Sequence, residues 1–261
     1  MPANSLARSR QDVAPKRHGE SPLRVYGLDL GPTGLVPPQP PGWAHLVSIR
    51  SGVAMLRCDG RQSLLSPEFA MWVPAGIPYA LDLRMRCRLR IVFCAADLHP
   101  ERRFGSVTMN ALLHELIGRA MACGYLDPSR VRDARLLAVM NDELAALADA
   151  KGAPALAVPR DAALLAAIER VLAAPEDAPS IAALAQAAGF SPRTFERRFM
   201  RETGLTPREW LRRARLITAL VALASGASVT EAGLACGYSS ISAFIAAYRA
   251  MFGRTPGRRA F

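Results

Sequence analysis

Lysine is almost missing from this chain. Of 33 basic residues only Lys16 and Lys151 are lysines, so the formal net charge of +11 is carried by arginine. Other absences exclude whole classes of function. No apolar run approaches 18 residues, the length a bilayer-spanning helix needs. Residues 1–20 contain no apolar stretch of the kind a secretion signal requires and read as a disordered arm. The five cysteines (Cys58, Cys87, Cys94, Cys123 and Cys236) form no C-x-x-C pair and have no histidines at ligand spacing. That pattern favours free thiols in a reducing cytosol over a disulfide frame or a zinc site. Neither G-x-S-x-G nor G-x-x-x-x-G-K-[ST] occurs, so two common signatures of nucleophilic and phosphate chemistry are missing.

What is present suits a globular protein with a polyanionic partner. A chain of 261 residues, 51% apolar, can bury one large core or two ordinary ones. A basic surplus favours nucleic acid, but an arginine-for-lysine skew also follows from GC-rich coding. The positions of the arginines therefore carry more than their sum.

Two regions differ in period. From about Leu23 to Leu98, short apolar runs are separated by Gly and Pro: HLVSIRSGVAMLRCDG, LLSPEF, AMWVPAGIPY and LRIVFCAADL. Short strands without intervening helices suggest an all-β sandwich or barrel. From Val107 onward the spacing is helical, first through Leu112, Leu113, Leu116, Ile117 and Met121. Asp127-Pro128 is then expected to open a second helix through Val131, Leu136, Leu137, Met140, Leu144 and Leu147. KGAPALAVPR breaks the pattern and reads as a linker. The expected division is an arm at 1–20, a β region at 21–105, a helical pair at 106–150 suited to closing the β region or pairing two subunits, a linker at 151–159 and a helical domain at 160–261.

The last hundred residues contain a repeat. SIAALAQAAGFSPRTFERRFMRETGLTP, from Ser180, matches SVTEAGLACGYSSISAFIAAYRAMFGRTP, from Ser228. Ser180, Gly189 and Phe190 match Ser228, Gly237 and Tyr238 at an offset of 48. Phe195, Phe199 and Gly204 match Phe244, Tyr248 and Gly253 at 49, so the second copy has one extra residue in its turn. Each copy reads as a Ser-capped short helix, a Gly turn, and a second helix with aromatics four apart on its buried side. Between them, PREWLRRARLITALVALASG reads as a helix from about 207 to 224. It would be roughly 27 Å long at 1.5 Å per residue, comparable to the roughly 34 Å between successive major grooves on one side of DNA. Gly233, inside the second copy's first helix, should cost about 1 kcal/mol in helix propensity unless close packing requires it.

This double helix-turn-helix, with GFSPRTFERRF in one copy and ACGYSSISAFIAAYRAMFGRTP in the other, resembles the AraC/XylS family of bacterial transcription regulators over about residues 160–261. SGVAMLRCDGR followed by LLSPEFAMWVPAGIPY looks like the cupin-type sensor of one branch of that family. The resemblance implies an α+β protein: a cupin-like β-barrel with flanking helices, then an all-α domain with two helix-turn-helix motifs joined by a linker helix. It implies a cytoplasmic regulator, an activator on family grounds, that binds double-stranded DNA and answers to a small-molecule effector of unknown identity. RNA polymerase and a second copy of the chain join the candidate partners.

Residues follow from the same resemblance. Arg193, Thr194, Glu196 and Arg197, with Ile241, Ser242 and Ala246 in the second copy, stand where relatives read bases. Arginine can bond guanine in a bidentate way, glutamate can accept from cytosine, and small apolar groups can touch a thymine methyl. The competing account is a solvated charged face with pairs one turn apart. Arg198, Arg201 and Arg249 are the expected phosphate contacts, while Arg212, Arg213 and Arg215 are placed on the solvated side of the linker helix. Trp43, His45, Arg50, Trp72 and Tyr79 are candidates for an effector pocket, with a plain core as the alternative for the tryptophans. Many cupins hold a metal with two histidines before a Gly turn and one after a P-x-G-x-P segment. Here PQPPGWAH offers only His45 and AGIPY ends in Tyr79, while His18, His99 and His114 lack partners at ligand spacing. No metal, cofactor or catalysis is expected. A cupin-type enzyme with an accessory helical domain and a sequence-neutral DNA binder are the alternatives.

Overall fold

The computed structural model describes residues 21–150, 155–173, 177–253 and 255–257. The expected arm at 1–20, with Lys16 and His18, and residues 151–154 of the expected linker lie outside them. The described residues form two compact units, one containing 21–56 and 65–150, the other 57–64 and those from 155 onward. It is a mixed α+β protein, with strands in two sheets toward the N-terminus and a helical C-terminal region.

In the first unit, β1 (Leu23–Leu30), β3 (Trp43–Ser51), β6 (Phe69–Val73), β8 (Cys87–Ala95) and β9 (Gly105–Thr108) form an antiparallel sheet in the order β1-β8-β3-β6-β9. Alternation along the strands divides its residues between two faces. Leu46 pairs with Trp72 and Val92, placing all three on one side; His45 pairs with Val73 and Phe93 on the other. The Leu46 face is covered by α1 (Ala111–Cys123) and α2 (Val131–Ala145), whose Leu113, Ile117, Met140 and Leu144 are fully buried in the same cluster. Elsewhere in this unit β2 (Thr33–Leu35) pairs with β7 (Ala80–Leu83). The hairpin of β4 (Ala54–Cys58) and β5 (Arg61–Leu65) turns at Asp59-Gly60, and the division between units falls within it.

Three local expectations change. Helical structure begins at Ala111 rather than at Val107, because Gly105–Thr108 pairs with β6 as an edge strand. Asp127 does not cap α2. It accepts from the backbone of Ser129 within a turn, and the helix starts at Val131 behind Arg130, which makes no side-chain cap bond. The KGAPALAVPR stretch carries a strand, β10 (Ala155–Ala157), paired with Arg61–Ser63 of β5. Its short apolar run had a hydrogen-bonding partner far away in sequence, which local pattern does not reveal.

The second unit contains α3 (Ala162–Ala173), α4 (Ile181–Ala187), α5 (Pro192–Thr203), α6 (Pro207–Ala224), α7 (Val229–Ala235) and α8 (Ile241–Phe252). Both halves of the repeat fold alike. Ser180 and Ser228 cap α4 and α7 with their side chains, and Gly189 and Gly237 have φ of 70° and 77°, a left-handed turn that a side chain would strain. The extra residue lies between Gly237 and Ser240, the cap of α8. Helix α6 packs on α5, α7 and α8, so it joins the two copies physically as well as in sequence. Two capping boxes went unread: Thr206 with Glu209, and Ser228 with Glu231. Their S/T-x-x-E spacing is a sequence signal for a helix start. Hydrogen bonds from Thr206 hold the Glu209 carboxyl below the usual carboxylate range.

Gly233 also finds its reason. A Cβ there would stand 3.1 Å from the Phe244 ring and 3.3 Å from Ile241 Cδ1, so a methyl would press on both at the close crossing of α7 and α8. Phe195 and Phe199 are 0% and 1% exposed, and the Phe199 ring meets Trp210 of α6 edge-on at 5.6 Å. Phe199→Ala should destabilise this unit by roughly 3–5 kcal/mol, measured by urea unfolding; an unchanged midpoint would remove Phe199 from the buried seam.

Candidate nucleic-acid interface

Helix α5 is built to show one side. Ser191 accepts from the Thr194 N–H, Pro192 occupies the first turn, and Phe195 and Phe199 turn inward with ring centroids 5.5 Å apart. A helix with its aromatics at i and i+4 directs the intervening positions elsewhere. Arg193, Glu196, Arg197 and Arg201 are exposed. Among the described residues Arg193 and Arg197 form no ion pair, so both guanidinium groups keep their donors for a partner. Thr194 is half-buried, and its hydroxyl accepts from Ser191 Oγ at 3.0 Å, which ties it to the cap.

Helix α8 repeats the construction with smaller outward groups. Phe244, Tyr248 and Phe252 form its buried ladder, with successive centroids 5.8 and 4.4 Å apart. Ser242, Ala246 and Arg249 are exposed along one stripe at i, i+4 and i+7. Ser242 and Ala246 occupy the positions of Arg193 and Arg197 in the first copy. Ile241 is half-buried, against the site of Gly233.

The expected phosphate contacts separate. Arg249 and Arg201 are exposed, the latter 3.9 Å from Glu202. Arg198 is engaged inside the unit: its guanidinium lies 4.6 Å over the Phe190 ring and 3.3 Å from Asp161 Oδ2. Stacking and pairing give that group a structural role within the unit. Asp161 also accepts from the Ala163 and Leu164 N–H groups at the start of α3. Glu202 accepts from the Arg160 and Asp161 N–H groups at 2.9 Å each. This network clamps α5 to the start of α3. It escaped sequence reading because its members lie about forty residues apart and only folding joins them. Trp210 completes the anchorage by donating from Nε1 to the Ala157 carbonyl at 2.6 Å.

A family model described as a helix-turn-helix domain matches residues 184–259. An AraC-type transcriptional regulator from Chromobacterium violaceum is 34% identical, covering 36% of this chain and 85% of that one, with a TM-score of 0.34. The DNA-binding domain of AdpA, solved in complex with a target DNA, is 33% identical over 36% of this chain and 85% of that one, with a TM-score of 0.34. The transcriptional regulator NimR of Escherichia coli (strain K12) is 25% identical over 249 residues, 94% of this chain and 89% of that protein. The chain belongs to the AraC family of transcriptional regulators.

In this AraC-family chain the five expected effector residues do not converge. Trp43 and His45 lie on the sheet face that carries Phe93, and His45 Nδ1 shares a 2.9 Å hydrogen bond with the Tyr79 hydroxyl. Trp72 lies on the opposite face, under α1 and α2, with the Arg102 guanidinium 5.6 Å from its ring. Arg50 reaches the same side and pairs with Glu115 of α1 at 2.8 Å. The strand alternation separates them, and a single pocket over all five is corrected to a cluster of Trp43, His45 and Tyr79, joined by Phe93. Arg24, stacked 5.0 Å over Trp43, belongs to that face as well and was missed. Of the other histidines, His114 donates from Nε2 to the Pro67 carbonyl at 2.7 Å, and His99 meets Trp72 edge-on; His18 lies outside the described residues.

Burial holds the His45 imidazole down at about 4. A group depressed in this way is neutral in the fold but takes a proton when unfolded, so its contribution is complete above about 6.5 and is lost as pH falls toward 4. Urea stability of the protein should therefore drop between those values. His45→Gln should shrink the drop without abolishing it, because burial also lowers His99. An identical pH profile in the variant would refute the assignment.

Proposed function

We propose that the chain is a sequence-specific transcriptional regulator whose α5 and α8 enter successive major grooves of double-stranded DNA. One observation carries this reading: in both copies an aromatic seam fixes the helix so that a corresponding stripe, Arg193 and Arg197 in one and Ser242 and Ala246 in the other, points outward. The bound DNA of AdpA supports it, since that relative shares the same domain at 33% identity. In the first copy Arg193 and Arg197 take guanine edges and Glu196 takes a cytosine amine; in the second, Ser242 bonds a base or phosphate while Ala246 and Ile241 meet thymine methyls. Arg201 and Arg249 hold phosphates. The first copy supplies most of the sequence discrimination, because two arginines and a carboxylate distinguish bases better than a hydroxyl and a methyl do.

The two-sheet N-terminal region acts in this reading as a cupin-type sensor, without catalysis or metal, and helices α1 and α2 supply a surface for pairing with a second copy. An effector shifts the balance between two arrangements only by binding one of them better. Transcription activation in the cytoplasm, with RNA polymerase as the partner reached, completes the proposal. No helix among the described residues is long and apolar enough to cross a membrane.

Arg197→Ala should weaken binding to a preferred duplex by about 1–3 kcal/mol and relax preference at one base position. The measurement is titration of wild type and variant against a duplex selected from a random pool, and against single-base variants of it. Equal weakening on every sequence would make Arg197 a phosphate contact. A wild type without at least about 10³-fold preference over unrelated DNA would favour a sequence-neutral binder instead.

A further inference from the structure

Helix α6 has a second stripe that the base-reading helices do not use. Arg208, Arg212 and Arg215 follow one another at i, i+4 and i+7 and line a notch of about 430 Å³ together with Ser180, Gly237 and Tyr238. The notch is held open by specific contacts. Cys236 Sγ donates to the Arg215 carbonyl at 3.0 Å, pinning the turn before α8 against α6. Arg215 Nη1 lies 3.6 Å from where a Cβ on Gly237 would stand, which places its guanidinium beside this turn. The Tyr238 hydroxyl is buried and finds no hydrogen-bond partner among the described residues. Burial pushes that hydroxyl's pKa up, with Arg212 and Arg215 pulling the other way. Phe190, the counterpart of Tyr238 in the first copy, has no hydroxyl and is covered by Arg198. The ring alone therefore satisfies the packing, and the oxygen at Tyr238 is surplus to it. Three arginines lining a common space, with the Tyr238 hydroxyl buried beside it, form a receptor for a phosphate-type anion.

We propose that this notch seats a phosphate of the DNA backbone, on the duplex between the grooves entered by α5 and α8. Its wall is the turn that leads into α8, and the N-terminal end of a recognition helix is the end presented to the groove, so the backbone bordering that groove runs past Tyr238. The inference rests on the DNA-binding reading. It also accounts for the weakness of α8 as a reader: Ser242 and Ala246 offer little chemistry, and the second copy is anchored by backbone charge instead. Arg212 and Arg215 pass from the solvated side of α6, where sequence placed them, to the binding surface.

The test uses the full chain and a duplex selected by the wild type from a random pool. Wild type, Arg208→Gln, Arg208→Gln/Arg212→Gln and Tyr238→Phe are titrated at several salt concentrations against that duplex and a scrambled one. The double variant should lose affinity on both in the same proportion, and its log–log salt slope should be shallower by about 0.9, the value for one phosphate contact. Tyr238→Phe should weaken both duplexes without altering their ratio. Unchanged affinity and slope in variants that melt like the wild type would overturn the notch while leaving the regulator reading intact. A loss confined to the selected duplex would overturn it as well, by making these residues base readers. Inorganic phosphate raising the melting temperature of wild type but not of the double variant, with salt slopes equal, would make the notch a free-anion site and reject the backbone assignment. Failure of the wild type to select any sequence from the pool would sink the underlying reading instead.

Discussion

Everything in the C-terminal unit depends on burying two aromatic rings one helical turn apart. Phe195 with Phe199, and Phe244 with Tyr248, remove one side of α5 and of α8 from water. A helix cannot rotate about its axis without exposing those rings, and each large side chain contributes about 1.5–3 kcal/mol when buried. The seam thus sets the outward direction of Arg193, Arg197, Ser242 and Ala246 as firmly as it holds the helix. Stability and recognition share a single constraint, which is why the two copies keep the aromatics at the same spacing while their outward chemistry diverges.

The copies differ in how they are held. The first is clamped by charge, with Glu202 on the backbone of Arg160 and Asp161, Asp161 against Arg198, and Arg198 over Phe190. The second relies on close approach. Gly233 lets α7 cross α8 at the Phe244 ring, and Cys236 binds the turn to α6. A hydrogen-bonded clamp fixes direction, whereas close packing on a glycine leaves little space for a larger residue at that position. This contrast parallels their outward faces, charged in α5 and small in α8.

The N-terminal unit illustrates what alternation does to a proposed site. Short strands, glycine turns and the flanking apolar helices all stood in the sequence pattern. Trp72 and Arg50 nevertheless went to the side covered by α1 and α2, away from Trp43, His45 and Tyr79. A one-residue step along a strand changes the face, and no composition argument chooses between the faces without the pairing partners. Likewise β10 was invisible as a strand because three apolar residues in a Pro- and Gly-rich stretch form one only when β5 supplies the hydrogen bonds.

The order of letters alone settled the repeat, its Ser caps and glycine turns, the extent of α6, and which side of each second helix is apolar. These are local properties, decided by interactions reaching at most four or five residues along the chain. Tertiary structure alone decided that Arg198 pairs with Asp161 while Arg193 and Arg197 have no ion pair among the described residues, that five effector candidates divide between two faces, and that Arg208, Arg212 and Arg215 share a notch with Tyr238. Each of those outcomes depends on groups brought together from distant positions, and electrostatic and hydrogen-bond energies depend on distance in space, which sequence separation does not report.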